Sequence, residues 1–350
     1  MPMFFGAKKL LGIDIGSTSV KICELDVSRN RATLQSFMMV PLPSGTMGGG
    51  EIIDSSRVAS AIAKMTKDLK SNRKAAAIGL WGTSVFIKRI SIPRVDPKLI
   101  KEQLRFEAEQ HIPFDINNVS LSHHILPFIS SPETIDILLI AAQNEVLRQY
   151  VNSVQAGGID ATIVDVSGFA LANIFEFNYG KEPGSSFIVL NIGSQVTNFV
   201  AIENGEVTFC RDVPVGGNTY NAELSKNFGL TYQEAESLKL SASKGQEVPE
   251  GVSQTITQVN EQIIDEIRST LDFLKVTNQG LKINKVYFTG GGSLTPGLID
   301  GMSKTLESPF EALNPFRKVA SGKKLNTSYM QQIAPFVSVV LGLGLRTGDS

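Results

Sequence analysis

Two short segments carry the residue types of an anion-binding turn. They are Leu11-Gly12-Ile13-Asp14-Ile15-Gly16-Ser17-Thr18 and Val189-Leu190-Asn191-Ile192-Gly193-Ser194. Asp14 and Asn191, Gly16 and Gly193, and Ser17 and Ser194 are each 177 positions apart, about half of the 350-residue chain. Glycine lets the backbone approach a ligand closely, and successive N–H groups can face an anion. The hydroxyls of Ser17, Thr18 and Ser194 add donors, and a carboxylate just before the turn can organise a hydrated divalent cation. One such turn is as readily a plain hairpin. Two facing copies would grip a polyphosphate from both sides.

A third cluster follows the strand-like run Lys285-Val286-Tyr287-Phe288-Thr289. It reads Gly290-Gly291-Gly292-Ser293, and Thr295 is expected to cap a helix with Pro296 in its first turn. The G-x-G-x-x-G dinucleotide fingerprint is absent, and no G-K-[ST] follows to make a Walker loop. With the two earlier turns, the cluster points to one composite nucleotide site.

The elements that must position these turns can be read on both sides of them. Each turn leads into a β-branched strand, Ser19-Val20-Lys21-Ile22-Cys23-Glu24-Leu25 and Thr197-Asn198-Phe199-Val200-Ala201-Ile202. The second continues through Glu203-Asn204-Gly205-Glu206, a strong hairpin signal. Apolar spacing at Val58, Ile62, Met65 and Leu69 predicts a helix over 55–69, with Ser55 or Ser56 as cap. Strands are expected at 75–80 and 85–92. A helix opens at Asp96-Pro97 and must finish by Ile112, before Pro113. Strands at 123–128 and 135–142, around Ser130-Ser131-Pro132, precede a helix at 144–156. Residues 83–163 thus hold enough structure to be an inserted subdomain. Further on, helices are expected at 220–228, after Gly216-Gly217-Asn218, and at 231–241, where Thr231 and Glu234 make a capping box. The span 254–277 aligns Ile256, Val259, Ile263, Ile267, Leu271 and Leu274 on one helical face. Residues 314–326 read as a loop and 336–345 as a buried terminal helix.

Composition narrows the function. The balance of 33 Lys+Arg against 34 Asp+Glu gives a net charge of −1, without the basic field that nucleic acid binding needs. Hydrophobic residues at 42% and charged residues at 19% are globular proportions, with length for about two domains. The densest apolar stretches, 137–142 and 336–345, fall short of the roughly 20 residues that cross a bilayer. The start places Phe4 and Phe5 ahead of Lys8 and Lys9, the wrong order for a secretory signal. Cys23 and Cys210 are too few for a disulfide framework and are expected in the core. Trp81 is expected to pack, His123 and His124 to face opposite ways, and the basic runs 67–74 and 317–324 to be solvated. A soluble cytoplasmic protein is the expectation.

The order of the three glycine motifs resembles the actin/Hsp70/FtsA ATPase superfamily, which includes sugar kinases. Its first phosphate, second phosphate and adenosine motifs occur in this order. More narrowly, the chain resembles the PilM family of type IV pilus assembly. That likeness rests on Leu11 through Lys21, on Ile87-Lys88-Arg89-Ile90-Ser91-Ile92-Pro93, on Glu107-Ala108-Glu109-Gln110-His111-Ile112-Pro113-Phe114 and on Arg211-Asp212-Val213-Pro214-Val215-Gly216-Gly217-Asn218. The resemblance implies an α/β, actin-like two-lobed ATPase fold with an FtsA-like inserted subdomain. Residues 1–82, 164–182 and 328–350 would form the first lobe core, and 83–163 the insertion. Residues 183–227 and 280–327 would form the second lobe core, with 228–279 its accessory subdomain.

The same resemblance implies ATP and Mg²⁺. Asp14 would hold Mg²⁺-bound water, Gly16, Ser17, Thr18 and Ser19 would face the β- and γ-phosphates, and Lys21 would supply positive charge. Gly193, Ser194 and Thr197, with Gly216 and Gly217, would make the opposing loop. Glu236 and Lys239 would approach ribose and adenine, and Gly290, Gly291, Gly292 and Ser293 would line the adenosine. By their residue types alone, Lys21 is as readily a solvated lysine, and Glu236 with Lys239 reads as a surface charge pair. Asn191 departs from the superfamily's aspartate. An amide can orient water but cannot take a proton, so with Asp14 and Asn191 as the catalytic pair, nucleotide binding is expected and hydrolysis should be slow. The implied partner is the N-terminal cytoplasmic peptide of the inner-membrane protein PilN, with other pilus platform or motor proteins besides. The chain would then be cytoplasmic, peripheral at the inner membrane through its partners. A small-molecule kinase would need an aspartate base and a sugar pocket, which no constellation specifies. An FtsA-like filament protein should end in an amphipathic helix, whereas this chain ends Arg346-Thr347-Gly348-Asp349-Ser350.

Overall fold

Both halves of the computed structural model grow from the same hairpin; the structure describes residues 9–28, 31–96, 99–127, 131–278, 280–323 and 325–346. The first half opens with β1 (Leu11–Ile15), β2 (Ser19–Ser28) and β3 (Arg31–Pro41), then the short β4 (Met47–Gly48) and β5 (Glu51–Ile52). Helix α1 (Ser55–Leu69) leads to β6 (Ala75–Leu80). Next come β7 (Val85–Pro93), α2 (Ile100–His111), β8 (Val119–Ile125) and β9 (Thr134–Gln143), and then α3 (Asn144–Ala156), which packs back on the first sheet. Strand β10 (Asp160–Val166) and helix α4 (Ser167–Tyr179) close this half.

The second half repeats the plan with β11 (Ser186–Ile192), β12 (Thr197–Glu203) and β13 (Glu206–Val213). Helices α5 (Gly217–Phe228), α6 (Tyr232–Ser243) and α7 (Val252–Thr277) follow, then β14 (Lys285–Thr289), α8 (Leu298–Thr305) and β15 (Phe310–Ala312). The chain ends with β16 (Val319–Ser321), α9 (Thr327–Ile333) and α10 (Ser338–Gly344).

One sheet has the order β10-β6-β1-β2-β3-β16 and the other β13-β12-β11-β14-β15. In each, the opening strand is antiparallel to the second and parallel to the strand after the crossover helices. Five strands of each sheet therefore share one topology, and the repeat in the sequence is a repeat of structure. β1 is buried along its whole length, as a central strand covered on both faces must be. Helices α1 and α3 cover one sheet, and α5 and α7 the other. All six apolar residues expected on one face of α7 are buried. Helices α4 and α10 cross between the sheets and join them through Leu171, Phe175, Val340 and Leu341.

The insertion has its own antiparallel sheet, β7-β9-β8, with α2 packed on it through Leu104 and Ala108 against Ile92, Ile137 and Leu139. Both cysteines are buried. Trp81 is buried too, its Nε1 donating to the Ile15 carbonyl at 2.7 Å.

Several boundaries differ from expectation. The cap of α1 is Asp54, whose carboxylate accepts the Arg57 N–H at 3.2 Å, so both serines lie inside the helix. Helix α2 begins at Ile100 rather than at Asp96, and Pro97 lies outside the described residues. After the third glycine cluster a 3₁₀ turn, Gly291–Leu294, takes the place of the expected first turn, and α8 starts behind Gly297. The loop expected at 314–326 contains β16, which pairs in parallel with β3 of the first sheet although it precedes residue 328. Phe4, Phe5, Lys8, Phe128, Ser130, Lys324 and residues 347–350 also lie outside the described residues. Among those described, no helix is long and apolar enough to cross a membrane.

Candidate functional site

The two turns form in the same way. The Gly16 N–H donates to the Ser19 carbonyl at 2.9 Å, and the Gly193 N–H to the Val196 carbonyl at 3.0 Å. A Cβ on Gly193 would stand 2.8 Å from that carbonyl oxygen, closer than real side chains come. Register places Asp14 opposite Lys21 and Asn191 opposite Asn198. In the first turn the pair is ionic: Lys21 Nζ lies 2.8 Å from Asp14 Oδ2, with side chains only 14% and 10% exposed. In the second it is neutral, Asn191 Nδ2 donating to Asn198 Oδ1 at 2.7 Å. Across the cleft the Ser17 and Ser194 hydroxyls touch, and Thr18 Oγ1 lies 3.3 Å from Ser194 Oγ.

The other glycines close around the second turn. The N–H groups of Gly217 and Asn218 donate to the carbonyls of Gly193 and Ser194 at 2.9 and 2.7 Å. Gly290 has φ +94, and a Cβ there would sit 2.3 Å from the Ile192 carbonyl oxygen; on Gly292 it would meet Ile192 Cγ2 at 2.5 Å. Glycine is required wherever backbone lies this close to backbone. Ser293 donates its hydroxyl back to the Gly290 carbonyl at 2.7 Å. Lys239 is buried rather than solvated, donating to Glu236 Oε2 at 2.6 Å and to the Gly217 carbonyl at 3.2 Å. Glu236 also accepts from Asn221 Nδ2 at 2.6 Å. The structure therefore gathers Asp14, Gly16, Ser17, Thr18 and Lys21 against Gly193 and Ser194. Gly216, Gly217, Lys239, Gly290 and Gly292 stand behind that loop. Thr197 is fully buried and donates to the Val215 carbonyl at 2.9 Å, so its hydroxyl shapes the loop. Ser19 acts through its carbonyl.

The sequence reading gave no role to Gln195, Asn198, Asp212 or Gly82. Gln195 Oε1 accepts the Gly49 N–H at 3.2 Å, tying the second turn to the first half. Asn198 Nδ2 donates to Asp212 Oδ1 at 2.6 Å, and the Gly82 N–H donates to Asp212 Oδ2 at 2.6 Å. Burial pushes the Asp212 carboxyl above its ordinary range, against the pull of these two hydrogen bonds. One signal could have found Asn198: carrying the repeat past the turns pairs it with Lys21.

As for a metal, no group of three or more His, Cys, Asp or Glu could hold an ion among the described residues. A lone carboxylate beside a phosphate site does fit Mg²⁺, which keeps several waters and takes its remaining ligands from the phosphates. Asp14, paired with Lys21 at 2.8 Å, is the carboxylate that stands beside the first turn.

A second feature lies where the insertion meets the first lobe. A groove of about 430 Å³ runs between β8, β10, α4 and the β12–β13 turn. β8 and β10 are the outer strands of their sheets. Among the described residues, Asn173 Nδ2 is buried there without a hydrogen-bond partner, and Asp165 Oδ2 has only the Arg346 Nε beside it, at 3.3 Å. Burial raises the Asp165 carboxyl, while Arg346 and the Val166 N–H act the other way. At the rim, His124 Nε2 lies 3.2 Å from Glu206 Oε2.

The family model for type IV pilus assembly protein PilM matches residues 12–348. Among solved structures, the chain is similar to a PilM-PilN type IV pilus biogenesis complex. The TM-score is 0.88 at 26% identity, over 99% of this chain and 100% of that one. It is also similar in fold to the ethanolamine utilization protein EutJ from Carboxydothermus hydrogenoformans, with a TM-score of 0.57 at 15% identity, covering 99% and 91% of the two chains. The fold is α/β, two-lobed and actin-like, as expected.

Proposed function

The chain belongs to the family of type IV pilus assembly protein PilM, and on that premise we propose that it is an ATP-binding assembly protein of the pilus inner-membrane platform. In this reading it docks the N-terminal cytoplasmic peptide of a PilN-type protein, and bound nucleotide sets the closure of its two lobes. The observation that carries the nucleotide part is the meeting of the two repeat-related turns, Ser17 against Ser194, above the buried Asp14–Lys21 pair.

The residues would divide the work as follows. Backbone N–H groups beyond Gly16 and Gly193, with the Ser17, Thr18 and Ser194 hydroxyls, donate to phosphate oxygens. The hydroxyl contact must open to admit a phosphoryl group, so nucleotide binding and lobe position are linked. Lys21, now paired with Asp14 at 2.8 Å, would supply positive charge to the phosphates, and Asp14 would hold Mg²⁺ through its bound water. Mg²⁺, when bound, neutralises phosphate charge. Asn191 cannot accept a proton from water, so hydrolysis is slow and nucleotide serves as a clamp. Lys239 and Glu236 border the nucleoside end.

For the partner, the groove beside the insertion offers apolar walls and a few convergent polar groups, the usual make-up of a specific binding site. Asn173 Nδ2 and the Asp165 carboxylate are placed to meet the backbone of an extended peptide lying between β8 and β10. Calorimetric titration of the full chain with a synthetic PilN N-terminal peptide, with and without Mg·ATP, tests both halves of the proposal. Saturable binding that Asn173→Ala weakens is the expected result. Absence of binding in both conditions overturns the docking role.

A further inference from the structure

Inside the repeat, one feature breaks the symmetry. The first turn carries a carboxylate at Asp14, and the second an amide at Asn191. We propose that Asp212 supplies the second half with its missing carboxylate, acting through Asn198 as the positioning residue that fixes which way the Asn191 amide faces. The proposal rests on the nucleotide reading of that turn.

The argument is one of hydrogen-bond polarity. An ionised carboxylate only accepts. Both Asp212 oxygens accept and neither donates: Oδ1 takes the Asn198 Nδ2 proton and Oδ2 the Gly82 N–H, each at 2.6 Å. The amino group of Asn198 is thereby committed to Asp212, and its carbonyl must turn to Asn191, where it accepts from Nδ2 at 2.7 Å. That leaves the Asn191 carbonyl oxygen, an acceptor, outside the relay and free to serve the turn in the nucleotide reading. Without the carboxylate at 212 nothing sets this order, and both amides could reverse. A reversed Asn191 would offer the turn a donor where the first turn offers the acceptor Asp14. The relay also crosses between lobes. Gly82, with φ +88, ends the first-lobe segment at the point where the chain enters the insertion, and a Cβ there would sit 2.1 Å from the Gly49 carbonyl oxygen. The carboxylate that orients the second turn thus holds the root of the insertion.

A charge exchange along the relay tests the assignment. In Asp212→Asn the new amide must satisfy the Gly82 N–H with its oxygen, so it presents NH₂ to Asn198 and drives the relay backward. In Asn191→Asp two carboxylates compete for one Asn198 amino group. Each single variant is expected to lose about tenfold or more in Mg·ATP affinity, the scale of a lost charge-assisted bond. In the double variant Asn191→Asp/Asp212→Asn every donor again meets an acceptor, with the polarity reversed. It should recover to within about threefold of the native chain, a coupling that independent sites do not show. Losses that multiply in the double variant, or an Asp212→Asn variant with native affinity, would overturn the proposal. Thermal unfolding of the same four proteins separates this outcome from failure of the nucleotide reading. If the native chain binds no Mg·ATP but the double variant melts higher than the sum of the two single shifts predicts, the relay stands and the nucleotide role falls. If the two shifts simply add, the relay falls with it.

Discussion

Asp14 and Lys21 lie 2.8 Å apart with little exposure, and breaking such a pair leaves one charge without its partner. The cost reaches about 3 kcal/mol when the remaining charge is well buried. In the nucleotide reading, a phosphate that took Lys21 would offset that cost and free Asp14 for metal-bound water. Asp14→Asn keeps the shape and removes the charge. We expect the native chain to bind ATP more tightly with Mg²⁺ than without it, and Asp14→Asn to lose that difference in calorimetric titration. An unchanged response to Mg²⁺ would remove the metal role from Asp14. Turnover should lie below about 1 s⁻¹, the low end of ordinary enzymes. A carboxylate at 191 should raise it only when 212 becomes Asn. Cys23 belongs to the same scale: burial pushes its thiol up to about 12, despite the Gly12 backbone hydrogen bond. It should stay unlabelled by iodoacetamide until the chain unfolds. The meeting of the two turns was legible because each is a contiguous motif and the second repeats the first 177 positions on. Asp212 was not, since its partners are a backbone N–H 130 positions away and an amide whose role appears only in the paired strands.

Between the lobes, α4 and α10 cross so closely that a Cβ on Gly342 would lie 1.8 Å from the Ala170 carbonyl oxygen. A backbone oxygen inside a helix cannot move aside, so Gly342→Ala must push the helices apart. Overpacking of this kind costs about 1–3 kcal/mol, and denaturant unfolding should show a lower midpoint; an unaltered midpoint would mean the crossing is soft. The groove beside α4 carries a stability cost of its own. Because burial raises the folded-state pKa of Asp165, folding favours its neutral form. That carboxyl lowers stability increasingly as pH rises above the unfolded carboxylate value. Asp165→Asn should therefore melt higher than the native chain near pH 7 and lose that advantage near pH 4, while binding the PilN peptide less well. A native melting temperature at both pH values would count against the buried charge. Helices such as α1 and α3 were readable to the residue because apolar periodicity is local. β16 was not, because its three residues are a strand only through pairing with Ala32, Thr33 and Leu34. The α1 cap was assigned to the serines because sequence ranks Asp and Ser alike at that position, and only geometry chooses Asp54.

At the scale of the molecule, two sheets of one topology meet through their glycine turns. The contact between them is made by repeat-equivalent side chains, Ser17 and Ser194. A pseudo-symmetric device of this kind has one natural input: a ligand that enters between equivalent residues pushes both lobes alike. The Gln195–Gly49 and Asp212–Gly82 hydrogen bonds lie on the same inter-lobe boundary, and in the proposed reading they would link lobe movement to the groove beside β8. Coupling between two sites is reciprocal. If ATP alters peptide affinity, the peptide must alter ATP affinity by the same factor, whatever the sign. The contact supplies a direct reporter. In a Ser17→Cys/Ser194→Cys variant the two thiols replace touching hydroxyls, and the native cysteines, both buried, should stay out of the reaction. Mild oxidation should join the lobes rapidly, seen as a disulfide between residues 17 and 194 by peptide mapping. Saturating Mg·ATP should slow the cross-link by holding phosphate between the thiols. Once formed, the cross-link should abolish ATP binding, and dithiothreitol should restore it. Equal cross-linking rates with and without Mg·ATP, in a variant that still binds nucleotide when reduced, would place the phosphates elsewhere and detach lobe closure from the nucleotide.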